Sequence, residues 1–210
     1  MTRIFDVDIQ REAIEGLDWP DEERLESDSG LGGNRQYADM RGLDWEDYAA
    51  AAACEADLVA QLDGLPDDEA RTALMEELEN EEDIDADIFT LMGLDPGVAS
   101  VVIALSAAGC APFTSCNGGA FGGRHHEYYP LVVFFSRPAL APLLLACAEE
   151  ADVGLIEREG VVVYARTIGA MMKFGAALHR RRDEIGRLKV LAPSGEAEDA
   201  DDGQLDLFDA

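Results

Sequence analysis

The chain has 210 residues, of which 44 are Asp or Glu and 16 are Lys or Arg, so its formal net charge at pH 7 is −28. It contains no apolar run near the roughly 18 residues of a membrane span and no apolar segment of a secretory signal peptide, so we expect a cytoplasmic protein with no membrane partner. Its four cysteines are too dispersed for a disulfide scaffold, and its acidity excludes a nucleic-acid-binding surface over the whole molecule.

The charge is unevenly distributed and divides the chain into three segments. Residues 1–90 contain 28 acids and 6 bases, residues 91–192 contain 9 acids and 10 bases, and residues 193–210 contain 7 acids and no base. Only the middle segment is both charge-balanced and rich in apolar residues. We therefore predict an acidic region over 1–90 that is partly disordered and then helical, a globular core over 91–192, and a disordered acidic tail over 193–210.

Two near copies of one tetrapeptide lie in the acidic N-terminal region. Gly16-Leu17-Asp18-Trp19 and Gly42-Leu43-Asp44-Trp45 contain both Trp residues of the chain. They fit either short anchors that dock an aromatic side chain in a groove, or helix starts with Asp as N-cap and Trp packed on the core. Ala-rich and amphipathic patterns then predict helices over 46–62 and 67–79.

The core pattern alternates helices with pairs of strands. Asp95-Pro96 is typical of a helix start, and the apolar run that follows predicts a buried helix over 98–108. Branched and aromatic runs predict four strands, at 112–116, 129–135, 154–159 and 161–166. The last two are predicted to form a hairpin that turns at Glu159-Gly160. Two more helices are predicted, over 136–152 and 168–188. Because the strand connections are too short for parallel crossovers, we predict an α+β fold with a compact four-stranded, mainly antiparallel sheet and packed helices.

The loop from Thr114 to Glu127 combines glycines with polar side chains and is the first candidate site. Glycines allow backbone N–H groups to converge on an anion. An anion or nucleotide would bind through Asn117, Gly118 and Gly119, with Arg124 completing the charge. A Gly-rich hairpin loop explains the same pattern without any ligand, and no Walker spacing is present.

Thiol chemistry is the second possibility for this loop. Cys116 beside His125 or His126 could form a catalytic thiolate–imidazole pair. Cys110, Cys116 and the histidines could instead hold zinc, but their spacing matches no standard zinc motif, so we predict no metal site. A buried structural Cys116 needs neither role, and the sequence indicates no cofactor.

Arg180, Arg181 and Arg182 form the chain's only basic cluster. Cations near a helix C-terminus are stabilised by the helix dipole, and they could also pair with the acidic N-terminal region. A phosphate contact is the third possibility. Direct nucleic-acid binding is therefore not expected, except through these three arginines.

The last residues contain the most specific motif. Gln204-Leu205-Asp206-Leu207-Phe208 follows an acidic stretch and resembles the Gln-Leu-x-Leu-Phe pentapeptide by which bacterial polymerases and repair proteins bind the replication sliding clamp. All four defined positions match, a pattern expected by chance in well under about 1% of chains of this length. The resemblance implies that Leu207 and Phe208 fill an apolar pocket of the clamp, that Gln204 hydrogen-bonds at its rim, and that Leu205 makes a secondary contact.

The sequence thus favours an accessory protein of bacterial or phage DNA replication or repair that is recruited to the sliding clamp by residues 204–208. It does not define what the core does there. Two alternatives stay open. The chain could be an acidic regulatory or inhibitory protein that binds a basic partner through residues 1–90. It could also be an enzyme whose site surrounds Cys116.

Overall fold

A computed structural model of the chain describes residues 3–15, 19–21, 25, 39–80, 91–122 and 127–191. Within these residues the α+β class is confirmed, with six helices and one four-stranded antiparallel sheet. The helices are α1 Trp45–Gly64, α2 Asp68–Asn80, α3 Ala99–Ala107, α4 Ala141–Ala151, α5 Ile168–Arg180 and α6 Arg182–Leu191. The strands are β1 Ala111–Cys116, β2 Leu131–Phe135, β3 Gly154–Glu157 and β4 Val161–Tyr164.

The sheet has the strand order β1-β2-β4-β3. Neighbouring strands are antiparallel, and the predicted β3–β4 hairpin is confirmed, with Gly154 opposite Tyr164 in its register. The pairing of β1 with β2 shifts between Pro112 and Thr114, which is the signature of a β-bulge. Val132 on β2 is completely buried beside the helices.

Helix α3 lies at the centre of the molecule, and all nine of its residues are buried. This follows from a sequence that is apolar nearly all round. The predicted start at Asp95 is wrong, because Val98 is the N-cap and makes no side-chain capping bond. Asp95 instead opens the preceding turn, where its carbonyl accepts the Ala99 N–H at 3.2 Å.

The C-terminal helical segment begins as predicted and then changes direction. The Thr167 side chain caps α5 by accepting the Ala170 N–H at 3.1 Å. The single helix expected over 168–188 is wrong, because a turn at Arg181 separates α5 from α6. The change of direction brings Ile185 into the core, where it is completely buried.

Helix α1 shares its core with the middle segment of the chain. Its inner face packs on α3 and consists of Tyr48, Ala51, Glu55, Leu58 and Leu62. The helix-start interpretation of the second tetrapeptide is confirmed, since Asp44 is the N-cap in a capping box with Asp47. The first copy lies partly outside the described residues, and its Trp19 packs beside Phe113 and Phe135. The domain boundary at residue 90 stays a prediction, although α1 and α3 bury a common surface.

Residues 3–15 form an extended N-terminal arm along the edge of the sheet. Phe5, Val7 and Ile9 are more buried than the residues between them, which is the alternation of a half-buried strand. The Leu155 N–H donates to the Gln10 carbonyl, and the Glu12 N–H donates to the Leu155 carbonyl, both at 2.9 Å. The arm therefore adds a short parallel pairing to the outer edge of β3.

Candidate functional site

The chain leaves β1 at Cys116 and enters the predicted ligand loop through Asn117, which is 3% exposed. The Asn117 backbone N–H donates to the Asp95 carboxylate at 3.1 Å, and its side-chain amide donates to the Pro96 carbonyl at 3.3 Å. Its side-chain oxygen accepts the Gly119 N–H at 2.9 Å. Asn117 therefore holds the loop against the turn that precedes α3, and its polar groups are already used in the folded chain.

The glycines after Asn117 allow two segments of backbone to approach each other closely. Gly118 has φ +67°, and a Cβ built on it would lie 2.5 Å from the Tyr129 carbonyl carbon. Its N–H donates to the Cys116 sulfur at 3.3 Å, and the Gly119 carbonyl accepts from the Arg3 guanidinium at 3.0 Å. Packing against Tyr129 thus accounts for Gly118, and an anion at Gly118 and Gly119 would have to displace bonds that their N–H groups already make.

Cys116 lies at the base of this loop and is 7% exposed. Burial raises the pKa of its thiol, and the nearby carboxylates of Asp95 and Glu127 raise that pKa further. Hydrogen bonds from the N–H groups of Gly118 and Glu127 lower the pKa of the thiol, but the net shift is still upward. A thiol in this environment stays protonated near neutral pH and is a poor nucleophile.

Three residues of the proposed site, Arg124, His125 and His126, lie outside the described residues. Their placement beside Cys116 therefore stays a prediction. Among the described residues, no group of three or more His, Cys, Asp or Glu side chains could hold a metal ion.

Glu55 is a buried ionisable residue that belongs to none of the sites predicted from the sequence. It is completely buried, and its carboxylate accepts the Gly97 N–H at 2.8 Å, the Ser100 N–H at 3.3 Å, and the Ser100 hydroxyl proton. Burial raises the pKa of this carboxyl, and the hydrogen bonds partly oppose that shift. A signal was present in the sequence, because Glu55 lies on the same stripe of α1 as Ala51 and Leu58.

The carboxylate of Glu55 supplies the capping acceptor that α3 lacks. Helix N-termini leave several N–H groups without intrahelical partners, and they favour negative charge. Val98 has no side-chain oxygen to offer at the N-cap position. The buried acid of α1 thus has a structural role, in which it joins the N-terminal helix to the centre of the core.

The basic cluster at the end of α5 is largely bound within the protein. Arg180 and Arg181 both pair with Glu150 of α4, and the Arg181–Glu150 distance is 2.6 Å. These arginines hold the pKa of Glu150 below its usual value through hydrogen bonds and charge. Arg182 donates to the His179 carbonyl at 3.2 Å, as expected near a helix C-terminus. Ion pairs with Glu150, which lies in the middle segment and not in the acidic N-terminal region, therefore account for Arg180 and Arg181, and a nucleic-acid contact stays a prediction.

An aromatic contact joins the same end of α5 to the start of α1. The His179 ring lies 4.8 Å from Tyr48 and 5.7 Å from Trp45, measured between ring centres. Burial, followed by the charge of Arg182, lowers the pKa of His179. The imidazole thus serves as a packing surface for the N-terminal helix.

Comparison of the chain with protein-family models, curated proteins and solved structures finds no match. In the part of the chain that the structure describes, no helix has both the length and the apolar character needed to cross a membrane. The peptide residues Gln204, Leu205, Leu207 and Phe208 lie outside the described residues.

Proposed function

We propose that this protein is an accessory factor of bacterial or phage DNA replication or repair that binds the sliding clamp through residues 204–208. The observation that carries the proposal is the match of Gln204, Leu205, Leu207 and Phe208 to all four defined positions of the clamp-binding pentapeptide.

The composition of the segment before the peptide supports this role. Helix α6 ends at Leu191, and twelve residues, 192–203, separate it from Gln204. They include five acids and no apolar residue larger than Ala and Pro. A chain of this length spans at most about 43 Å, which is enough for the peptide to enter a groove on a partner while the core stays outside it.

A peptide of this kind binds through a few apolar anchors. Leu207 and Phe208 carry most of the apolar area that the pentapeptide can bury, and Gln204 adds a polar contact. Two or three anchors with little preorganisation give an affinity of about micromolar. All four cysteines, each within the described residues, are thiols rather than disulfides, which suits the reducing cytoplasm that we propose as its location.

The test is binding of purified sliding clamp to immobilised full chain. We expect Leu207→Ala with Phe208→Ala to abolish binding, because full burial of such side chains contributes roughly 1.5–3 kcal/mol each. Asp206→Ala is the matched control and should bind like the wild type, since the motif leaves that position open. All three chains should have the same melting temperature.

Two results would contradict the proposal. One is wild-type clamp affinity in the double Ala variant. The other is a double Ala variant that melts well below the wild type, which would mean that these side chains stabilise their own core. A chain ending at Gly203 that still binds clamp would move the interaction away from the pentapeptide altogether.

A further inference from the structure

The outer edge of β3 is occupied by the N-terminal arm in a way that resembles a bound peptide. Both backbone–backbone hydrogen bonds of this pairing involve one residue, Leu155, whose N–H donates to the Gln10 carbonyl and whose carbonyl accepts the Glu12 N–H. Strand addition to an exposed sheet edge is a common mode of peptide recognition, in which main-chain bonds give affinity and side chains give specificity.

Beside this pairing, the arm carries a basic residue followed by an acidic residue. The Arg11 guanidinium donates to the Val153 carbonyl at 2.9 Å and to the Asp152 carboxylate at 3.0 Å. The next residue, Glu12, lies 3.5 Å from the Arg158 guanidinium. Asp152 and Arg158 therefore lie along the edge in an order that matches a basic residue followed by an acidic residue in the bound segment.

Residues 8–15 of the arm are held mainly by polar contacts, which include the Tyr164 hydroxyl between the Asp8 carbonyl and the Gln10 N–H. Phe5 is buried, whereas none of the residues 8–15 is. Asp152 is 75% exposed, and Arg158 is 58% exposed, so both ion pairs are of the solvated kind that contributes little to stability. Local opening is expected where buried apolar contacts are few.

We propose that the β3 edge is a peptide-docking site that residues 8–15 occupy within the same chain. Its partner is an extended protein segment with Arg or Lys followed by Asp or Glu. Leu155 supplies the main-chain contacts, and Asp152 and Arg158 read the two charges. Because a tethered arm acts at an effective concentration on the order of millimolar, the resident arm masks the edge until a better partner displaces it.

The test uses the full chain and a fluorescein-labelled peptide with the sequence of residues 6–15, with binding followed by anisotropy. In the chain, Arg11→Asp with Glu12→Arg places like charges beside Asp152 and Arg158 and weakens the resident arm. We expect this variant to bind the peptide about tenfold more tightly than the wild type does. A peptide in which residues 11 and 12 are exchanged should not show this increase in affinity.

Two further variants separate the edge from the rest of the surface. Adding Asp152→Asn to the Arg11→Asp, Glu12→Arg chain should weaken peptide binding, because the substitution removes the charge. Asn is chosen because it tolerates the left-handed backbone at this helix end (φ 56°). Glu149→Gln removes an exposed charge from the same helix and should leave the peptide affinity unchanged. Glu12→Pro removes the N–H that bonds Leu155 and provides a second way to free the edge.

The proposal fails if neither arm variant gains peptide affinity while circular dichroism shows both to be folded. It also fails if Asp152→Asn and Glu149→Gln act alike. A concentration-dependent dimer of the wild type that Asp152→Asn abolishes would make the occupant the arm of a second copy and would overturn the assignment to a different protein. None of these outcomes depends on sliding-clamp binding.

Discussion

The Glu55 carboxylate of α1 accepts hydrogen bonds from both the hydroxyl and the backbone N–H of Ser100 in the first turn of α3. These two residues are 45 positions apart in the chain, and both are almost completely buried. The contact places a segment of the acidic N-terminal region at the centre of the charge-balanced core. It also means that the Glu55 carboxylate alone caps the start of α3, whose N-cap residue makes no side-chain capping bond.

Replacing Glu55 by Ala should strongly destabilise the fold. The substitution leaves the Gly97 N–H, the Ser100 N–H and the Ser100 hydroxyl without this acceptor, and each unsatisfied buried donor costs about 1–3 kcal/mol. We expect the free energy of unfolding, measured by urea titration at pH 7, to fall by about 3 kcal/mol or more. Asp57→Ala, an exposed acid on the same helix, should change it by less than about 0.5 kcal/mol. Equal effects of the two changes would rule out the capping role.

The pH dependence of stability should differ between the wild type and Glu55→Gln. Burial raises the pKa of Glu55, so the stabilising contribution of its protonated form is present below the usual pKa of about 4.3 and is lost as the pH rises through the raised value. Gln does not titrate and can still accept from Gly97 and donate to the Ser100 hydroxyl. The free energy of unfolding of the wild type minus that of Glu55→Gln should therefore fall from pH 4 to pH 7. A difference that rises with pH would contradict the raised pKa.

Local patterns predicted most of the helices and the sheet. The Ala-rich stripe of α1, the apolar run of α3 and the hairpin at Gly160 each have a period or a turn signal contained in a few neighbouring residues. The break at Arg181 was missed, because α5 and α6 carry one continuous helical pattern and only the tertiary position of Ile185 requires a turn.

Features that join distant residues were not predictable in the same way. The arm pairs with Leu155, which lies more than 140 residues further along the chain, and no local pattern names its partner. The alternation of Phe5, Val7 and Ile9 has the period of a strand, but it is short and lies in an acidic region whose composition predicts partial disorder. Asn117 was expected to contact a ligand, and its actual partners at Asp95 and Pro96 are known only from the fold.

Gly118 should not tolerate a side chain. Its positive φ costs an L-residue roughly 1–2 kcal/mol, and a Cβ would come within 2.5 Å of the Tyr129 backbone, which cannot move as a flexible side chain can. We expect Gly118→Ala to lower the free energy of unfolding by more than about 2 kcal/mol. Gly186→Ala in α6 is the matched control, since nothing lies within 4 Å of its Cβ position and Ala favours a helix by about 0.5–1 kcal/mol over Gly. A neutral Gly118→Ala would mean that packing does not explain this glycine and would revive the anion-binding interpretation.

Thiol labelling should separate a structural Cys116 from a catalytic one. Cys54 is half-buried, whereas Cys110, Cys116 and Cys147 are buried, and burial raises the pKa of Cys147 to about 11. In the folded protein at pH 8, we expect an aromatic disulfide reagent to modify Cys54 first, and the other thiols to react far more slowly. Cys54→Ser should therefore remove nearly all rapid reaction.

The pH profile of Cys116 labelling provides the decisive measurement. Because burial and the carboxylates of Asp95 and Glu127 raise its pKa, the labelling rate of a Cys54→Ser chain should still be increasing above the ordinary thiol value of about 8.5. Cys116→Ser should leave that chain folded, since a serine oxygen can accept the same Gly118 N–H. Rapid labelling of Cys116 with a midpoint well below 8.5 would mean that a cation stabilises the thiolate, and the enzyme hypothesis would then outrank the structural role argued from the described residues.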